Sequence, residues 1–178
     1  VERTEALADM AAAGRAPRGP LRVNAPTPYV LHVIAPRLAQ FHARCPEIEL
    51  TIDMTDRVVD LIDSHADVAI RLGALPDSDL LRRPLGKAEW RLVAVPAYLD
   101  RVGRPRAPTD LTSLEQVRFS APAHINELRF KGLQKAVEPR ASVVATNGEA
   151  VRSLVLNGMG IARFSDFMID RDIAEGRA

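Results

Sequence analysis

A single cysteine, Cys45, among 178 residues leaves the chain no internal disulfide, so its stability rests on core burial and suits a reducing compartment. No apolar run approaches the roughly 18 residues that a membrane span needs, which excludes an integral helical membrane protein. No signal-peptide h-region opens the chain either. Lysine is nearly absent: only Lys87, Lys131 and Lys135 stand beside 21 arginines. Together with the abundance of alanine and proline, that skew reflects a high-GC coding bias. A dominant charge is missing too. Twenty-four bases against 23 acids give a net charge of +1, far from the basicity of a surface that grips nucleic acid. What is there is a globular composition, 47% hydrophobic and 26% charged.

Periodicity supplies the organisation. Ala6, Leu7, Met10 and Ala11 fall on one face of a short helix over Val1–Ala13, with a linker from Arg15 to Pro20 behind it. Leu21–Ala25 reads as a strand. A helical stripe follows at Val30, Ile34, Leu38 and Phe41, with Pro28 suited to a first turn and Pro36 set to kink or restart the helix. Strict alternation at Ile48, Leu50, Ile52 and Met54 predicts a half-buried strand. Val58, Val59, Leu61 and Ile62 suit a helix, and Asp67–Leu72 a buried strand closed by Gly73. The rhythm is strand, helix, strand, helix, strand, as in a mostly parallel sheet with helices on its faces.

The second half repeats the theme. Strands are expected at Trp90–Val95, Val117–Ser120, Leu128–Lys131, Ser142–Thr146 and Gly160–Phe164, with a helix from Gly148 to Asn157 stopped by Gly158. Two α/β lobes result, divided near Gly86–Trp90. Charge differs between them. Glu47–Asp79 holds nine acids against two bases, and Leu80–Arg106 seven bases against two acids, an asymmetry that suits self-association or two solvated faces.

The motifs of catalysis are missing. His32, His42, His65 and His124 show no metal-ligand spacing, and neither a nucleophile elbow nor a phosphate loop occurs. Gly158-Met159-Gly160 follows a helix instead of ending a strand, so it is a tight turn and not a dinucleotide fingerprint. Asp53, Asp56, Asp60 and Asp63 suit an exposed helix face and its entry turn. Cys45 ends a helix and lacks a partner. No catalytic residue, metal ligand or cofactor is expected.

A binding architecture remains. Ligands of open α/β sheets sit outside the carboxyl ends of strands, beside helix starts. Four places fit: Ala25-Pro26-Thr27-Pro28-Tyr29, Thr55, Arg71–Gly73, and Thr146-Asn147-Gly148, with Phe119-Ser120-Ala121 facing them. Hydroxyls and unpaired N–H groups at helix starts suit a small anion. Ordinary N-capping by Thr27, Thr55 and Asn147 is the competing explanation.

The ordered set Gly19-Pro20-Leu21-Arg22-Val23, Ala35-Pro36-Arg37-Leu38 with Phe41, Pro46-Glu47-Ile48-Glu49-Leu50 and Asp67–Gly73 resembles the effector-binding domain of LysR-type transcriptional regulators. In the second half Val95–Leu99, Pro108-Thr109-Asp110-Leu111 and Asn157–Arg163 extend the resemblance, which runs from about Gly19 to Arg177. It implies an α/β fold of two Rossmann-like lobes joined by crossover strands, like a type 2 periplasmic binding protein, with a small effector in the cleft. It further implies a linker-helix end at residues 1–18, lobe I at 19–88 and lobe II at 89–178 with the start of a return crossover. Carried over by position, the effector-binding residues are Thr27, Pro28, Tyr29, Thr55, Arg71, Phe119, Ser120, Ala121, Thr146, Asn147 and Gly148. The implied protein is cytoplasmic, a homodimer or homotetramer, and touches DNA only through an N-terminal helix-turn-helix domain. Asn126–Phe130 lacks the tryptophan that many relatives carry before the phenylalanine. A solute-binding transport protein has the same kind of fold, and its coding sequence would open with a secretory signal.

Overall fold

The computed structural model describes residues 16–55, 66–73, 80–120 and 122–178. The expected helices over Val1–Ala13 and around Val58–Ile62 lie outside the described residues, as does Ala121. The chain divides into two units, Val1–Gly86 and Lys87–Ala178.

In the first unit, β1 (Arg18–Ala25) pairs in parallel with β2 (Glu47–Met54) along its whole length, and with β3 (Val68–Ala69) at its carboxyl end. The sheet order is therefore β2-β1-β3. β1 begins at Arg18, inside the stretch expected as linker, because Gly19 and Pro20 already pair with Ile48 and Glu49. Alternation in β2 is as expected for Ile48, Leu50 and Ile52, half-buried between exposed Glu47, Glu49 and Thr51, but Met54 at the strand's end is exposed. Asp53 therefore belongs to a strand and not to a helix face. The expected strand Asp67–Leu72 shrinks to two residues, with Val68 and Leu72 each 46% exposed. Only Val23 and Asn24 of β1 offer it a ladder.

Between β1 and β2 runs a helix in three pieces. α1 (Thr27–Tyr29) leads into a π turn over Val30–Ile34, and α2 (Ala35–Arg44) completes it. Pro36 causes the break. It has no N–H for the carbonyl four residues back and its ring crowds that carbonyl, so the chain widens first. The Ala35 N–H reaches back five residues to the Val30 carbonyl. Arg37 then donates from Nη1 to the Val33 carbonyl at 2.7 Å, satisfying an acceptor within the widened turn. Pro28 sits buried in the first turn, as its fixed φ favours.

Among the described residues the second unit holds the larger core. β4 (Trp90–Val93) pairs antiparallel with β7 (Ala162–Ser165), and β5 (Glu115–Phe119) pairs in parallel with β6 (Arg140–Ala145) through a bulge at Gln116/Val117. α4 (Gly148–Leu156) and α5 (Asp166–Ala174) pack on these strands, burying Val93, Val117, Val151, Val155, Phe164, Met168 and Ile169 together. A second cluster gathers Val95, Tyr98, Leu111, Leu114, Leu128, Val137 and Ile161 under α3 (Pro96–Val102). α3 and α5 were not expected from periodicity. Leu128–Lys131 contributes only an isolated bridge, Leu128 to Val137.

Gly158 and Gly160 fix the turn after α4. The Met159 N–H bonds the Leu154 carbonyl and the Gly158 N–H the Val155 carbonyl, a Schellman pair with Gly158 at φ 78°. Gly160 has φ 146°, and a Cβ there would lie 2.3 Å from the Glu115 carbonyl oxygen. That close approach lets Ile161 exchange backbone hydrogen bonds with Glu115 and Val117.

Candidate functional site

At the carboxyl ends of β2-β1-β3 the first unit brings three of the expected residues together. The Thr55 N–H donates to the Ala25 carbonyl at 3.1 Å, and the Ile70 N–H to the Asn24 carbonyl at 2.8 Å. Thr27, Thr55 and Arg71 therefore follow the ends of three adjacent parallel strands. Thr27 does not cap its helix. Pro26 is the capping residue and offers no side-chain acceptor, while Thr27 occupies the first helical position with Pro28 and Tyr29 behind it.

Asn24 organises this end. It lies at the last but one position of β1 and is fully buried. Its Nδ2 donates to Asp53 Oδ2 of β2 at 2.7 Å, and its Oδ1 accepts from Arg71 Nη1 at 2.6 Å. Arg71 Nη1 also reaches the Ile70 carbonyl at 3.0 Å. The side chain of the central strand thus ties an acid on one neighbour to a base on the other, and both polar ends of a buried amide are satisfied. Strand alternation would have set Asn24 on the exposed face with Arg22, so periodicity gave no sign of it.

In the second unit the parallel pair β5–β6 places Ser120 beside Ala145, with the Ser120 N–H on the Ala145 carbonyl at 2.9 Å. Thr146, Asn147 and Gly148 follow directly and open α4. Ser120 and Thr146 are both exposed at that end. Asn147 is the N-cap: its side-chain oxygen accepts from the Glu149 and Ala150 N–H groups at 2.8 and 3.2 Å. Two donors of the first turn are thereby used. Phe119 points the other way, its ring edge-on to Phe164 at 6.3 Å between centroids. Half-buried, it packs against the core cluster of this unit.

Asn126 completes this end of the second unit. Its Oδ1 accepts from the Phe119 N–H and its Nδ2 donates to the Phe119 carbonyl, both at 2.8 Å. The buried Gln116 side chain donates to the Asn126 carbonyl, also at 2.8 Å, and takes a hydrogen bond from Arg118 Nε at 2.9 Å. On α4 itself, Arg152 lies 3.8 Å from Glu149 of the first turn and hydrogen-bonds the fully buried Asp172 of α5. Burial pushes the Asp172 carboxyl up, but hydrogen bonds from Arg152 and Arg177 outweigh it and hold the group below the usual carboxylate range.

The residues supply hydroxyls, amides and one guanidinium at the carboxyl ends of parallel strands, with no nucleophile beside a base. Among the described residues no cluster of histidine, cysteine, aspartate or glutamate could hold a metal ion. No described helix is long and apolar enough to cross a membrane. An open groove of about 510 Å³ in the second unit lies instead at the far end of α4, lined by Val95–Ala97, Leu156–Gly158, Gly176 and Arg177.

Comparison with known proteins decides what this scaffold is. Residues 2–178 match the LysR substrate binding domain. The chain belongs to that family. It has the α/β fold of a type 2 periplasmic binding protein. It is 37% identical over 179 residues to the HTH-type transcriptional regulator CrgA of Neisseria meningitidis, covering 99% of this chain and 59% of that protein. The solved regulatory domain of CrgA superposes with a TM-score of 0.82 at 37% identity, over 90% of this chain and 79% of that one. The full CrgA structure gives 0.87 at 36% identity, over 99% of this chain and 60% of that one. The chain thus spans about three-fifths of the length of the curated relatives it matches first.

Within this LysR substrate-binding domain, the residues that sequence reasoning missed are Asn24 and Asn126. Each is an asparagine whose partners lie on other strands or across a loop, so neither spacing nor composition marks it.

Proposed function

We propose that the chain is the effector-sensing part of a LysR-type DNA-binding transcriptional regulator and that it binds a small anionic molecule. In the first unit Thr27, Pro28, Tyr29, Thr55 and Arg71 serve the ligand. In the second, Phe119, Ser120, Ala121, Thr146, Asn147 and Gly148 do. The observation that carries this reading is the gathering of hydroxyl and amide groups at the carboxyl ends of parallel strands, beside the start of α4. Helix starts favour negative charge by roughly 0.3–1 kcal/mol. Arg71 adds a guanidinium, capable of charge-assisted hydrogen bonds, at the end of β3.

The whole protein reads DNA through a helix-turn-helix domain, works in the cytoplasm as a homodimer or homotetramer, and catalyses no reaction. The acidic stretch Glu47–Asp79 and the basic stretch Leu80–Arg106 supply complementary charge for self-association. Relatives named as transcriptional regulators favour this reading over a transport protein. A thermal-shift screen of the complete regulator with small carboxylates and aromatic metabolites tests it. A true effector at 100 times its dissociation constant adds about 2.7 kcal/mol of stability. A full panel without any stabilising anion would contradict the anionic reading.

A further inference from the structure

Phe119 is the last residue of β5, and its backbone points its N–H and carbonyl away from β6. A third strand would normally take both groups. Here a side chain does. The Asn126 amide accepts from the Phe119 N–H and donates to its carbonyl, each at 2.8 Å, as a paired strand residue would. Asn126 is itself immobilised, because the buried Gln116 side chain holds its carbonyl at 2.8 Å. The next residue is held too, since Arg163 of β7 donates to the Glu127 carbonyl. Phe119 and Asn126 therefore form a neck fastened by two hydrogen bonds, and Ser120 is the first residue beyond it.

We infer that Asn126 is a positioning residue for effector binding: its clasp on Phe119 sets where Ser120 stands beside Thr146 and Asn147. The inference rests on the effector-site reading above. The physical reason is register. Ser120 keeps its N–H on the Ala145 carbonyl only while Phe119 stays in line with β6, and hydrogen bonds on both sides of Phe119 enforce that line. Without the amide, two half-buried backbone groups lose their partners and the neck opens toward water. Ser120 then samples positions that no longer coincide with the opening of α4. An ordered polar site binds more tightly than a mobile one because less ordering is left to the ligand.

Calorimetric titration of the complete regulator with inorganic phosphate and with benzoate provides the test. The wild type is expected to bind at least one of the two. Asn126→Ala, and the milder Asn126→Ser, are expected to bind that anion at least tenfold more weakly. Leu111→Val thins the buried core of the same unit and serves as the control, lowering the melting temperature while binding like the wild type. Asn126 variants that bind within twofold of the wild type would overturn the inference while leaving the effector site standing. So would an equal loss of binding in Leu111→Val, which would reduce the effect to stability. A wild type that binds neither anion would overturn the anionic-site reading, and the inference with it.

Discussion

Arg152 of α4 donates from Nε to the fully buried carboxylate of Asp172 in α5 at 2.9 Å, and a second guanidinium, Arg177, meets the other oxygen at 2.8 Å. One acid thereby fastens three segments: the helix that opens at the candidate site, the last helix, and the residues after it. Removing one partner of a buried ion pair leaves a charge without compensation. Because Arg152 keeps some exposure and can rehydrate, Asp172→Ala is expected to lose about 3 kcal/mol, the low end of the usual range. Urea unfolding with an unchanged denaturant slope checks the loss.

The same carboxylate sets an acid limit. Its folded pKa lies below the unfolded value, so the folded state gains from ionisation. That stability is fully present above the ordinary carboxylate range near pH 4 and fades as pH falls through the lower folded value. The stability difference between wild type and Asp172→Asn should therefore be flat from about pH 5 to 8 and shrink below about pH 4. A difference that grows on acidification would contradict the assignment.

Gly160→Ala is expected to destabilise by roughly 3 kcal/mol or more, adding backbone strain at φ 146° to an overlap with the Glu115 carbonyl. Thermal unfolding measures it. The equivalent change at Gly103 (φ 96°) meets nothing within 4 Å and should cost only the backbone term.

Asn147→Ala should cost about 1 kcal/mol through the lost cap of α4, and Asn147→Asp should restore most of it because a carboxylate accepts the same two N–H groups. Chemical denaturation of the three proteins separates capping from any effect on ligand.

Where sequence periodicity succeeded and failed has a physical pattern. The alternation of β2 is legible because Ile48, Leu50 and Ile52 lie half-buried on one face, although Met54 at the strand's end is exposed. α4 was read correctly because Asn147 and Gly158 punctuate it. α5 escaped notice because its inward stripe is Met168, Ile169 and Asp172, and a buried aspartate breaks an apolar pattern. The run Asp67–Leu72 reads as a buried strand, but its apolar residues do not say which of them find a ladder; Val68 and Ala69 do. That Thr27, Thr55 and Arg71 follow strand ends is legible because the rule for α/β sheets points to those positions. Asn24 and Asn126 carry no such mark, because their amides pair with residues well along the chain, on strands whose register no local pattern discloses.

Titration of the complete regulator with a stabilising anion, comparing wild type with Thr27→Val and Thr146→Val, tests the central claim most directly. Each replacement keeps the shape and removes one hydroxyl, and neither residue serves as a helix cap in the structure. The account predicts at least a several-fold loss of affinity in both. Unchanged affinity in both would contradict it.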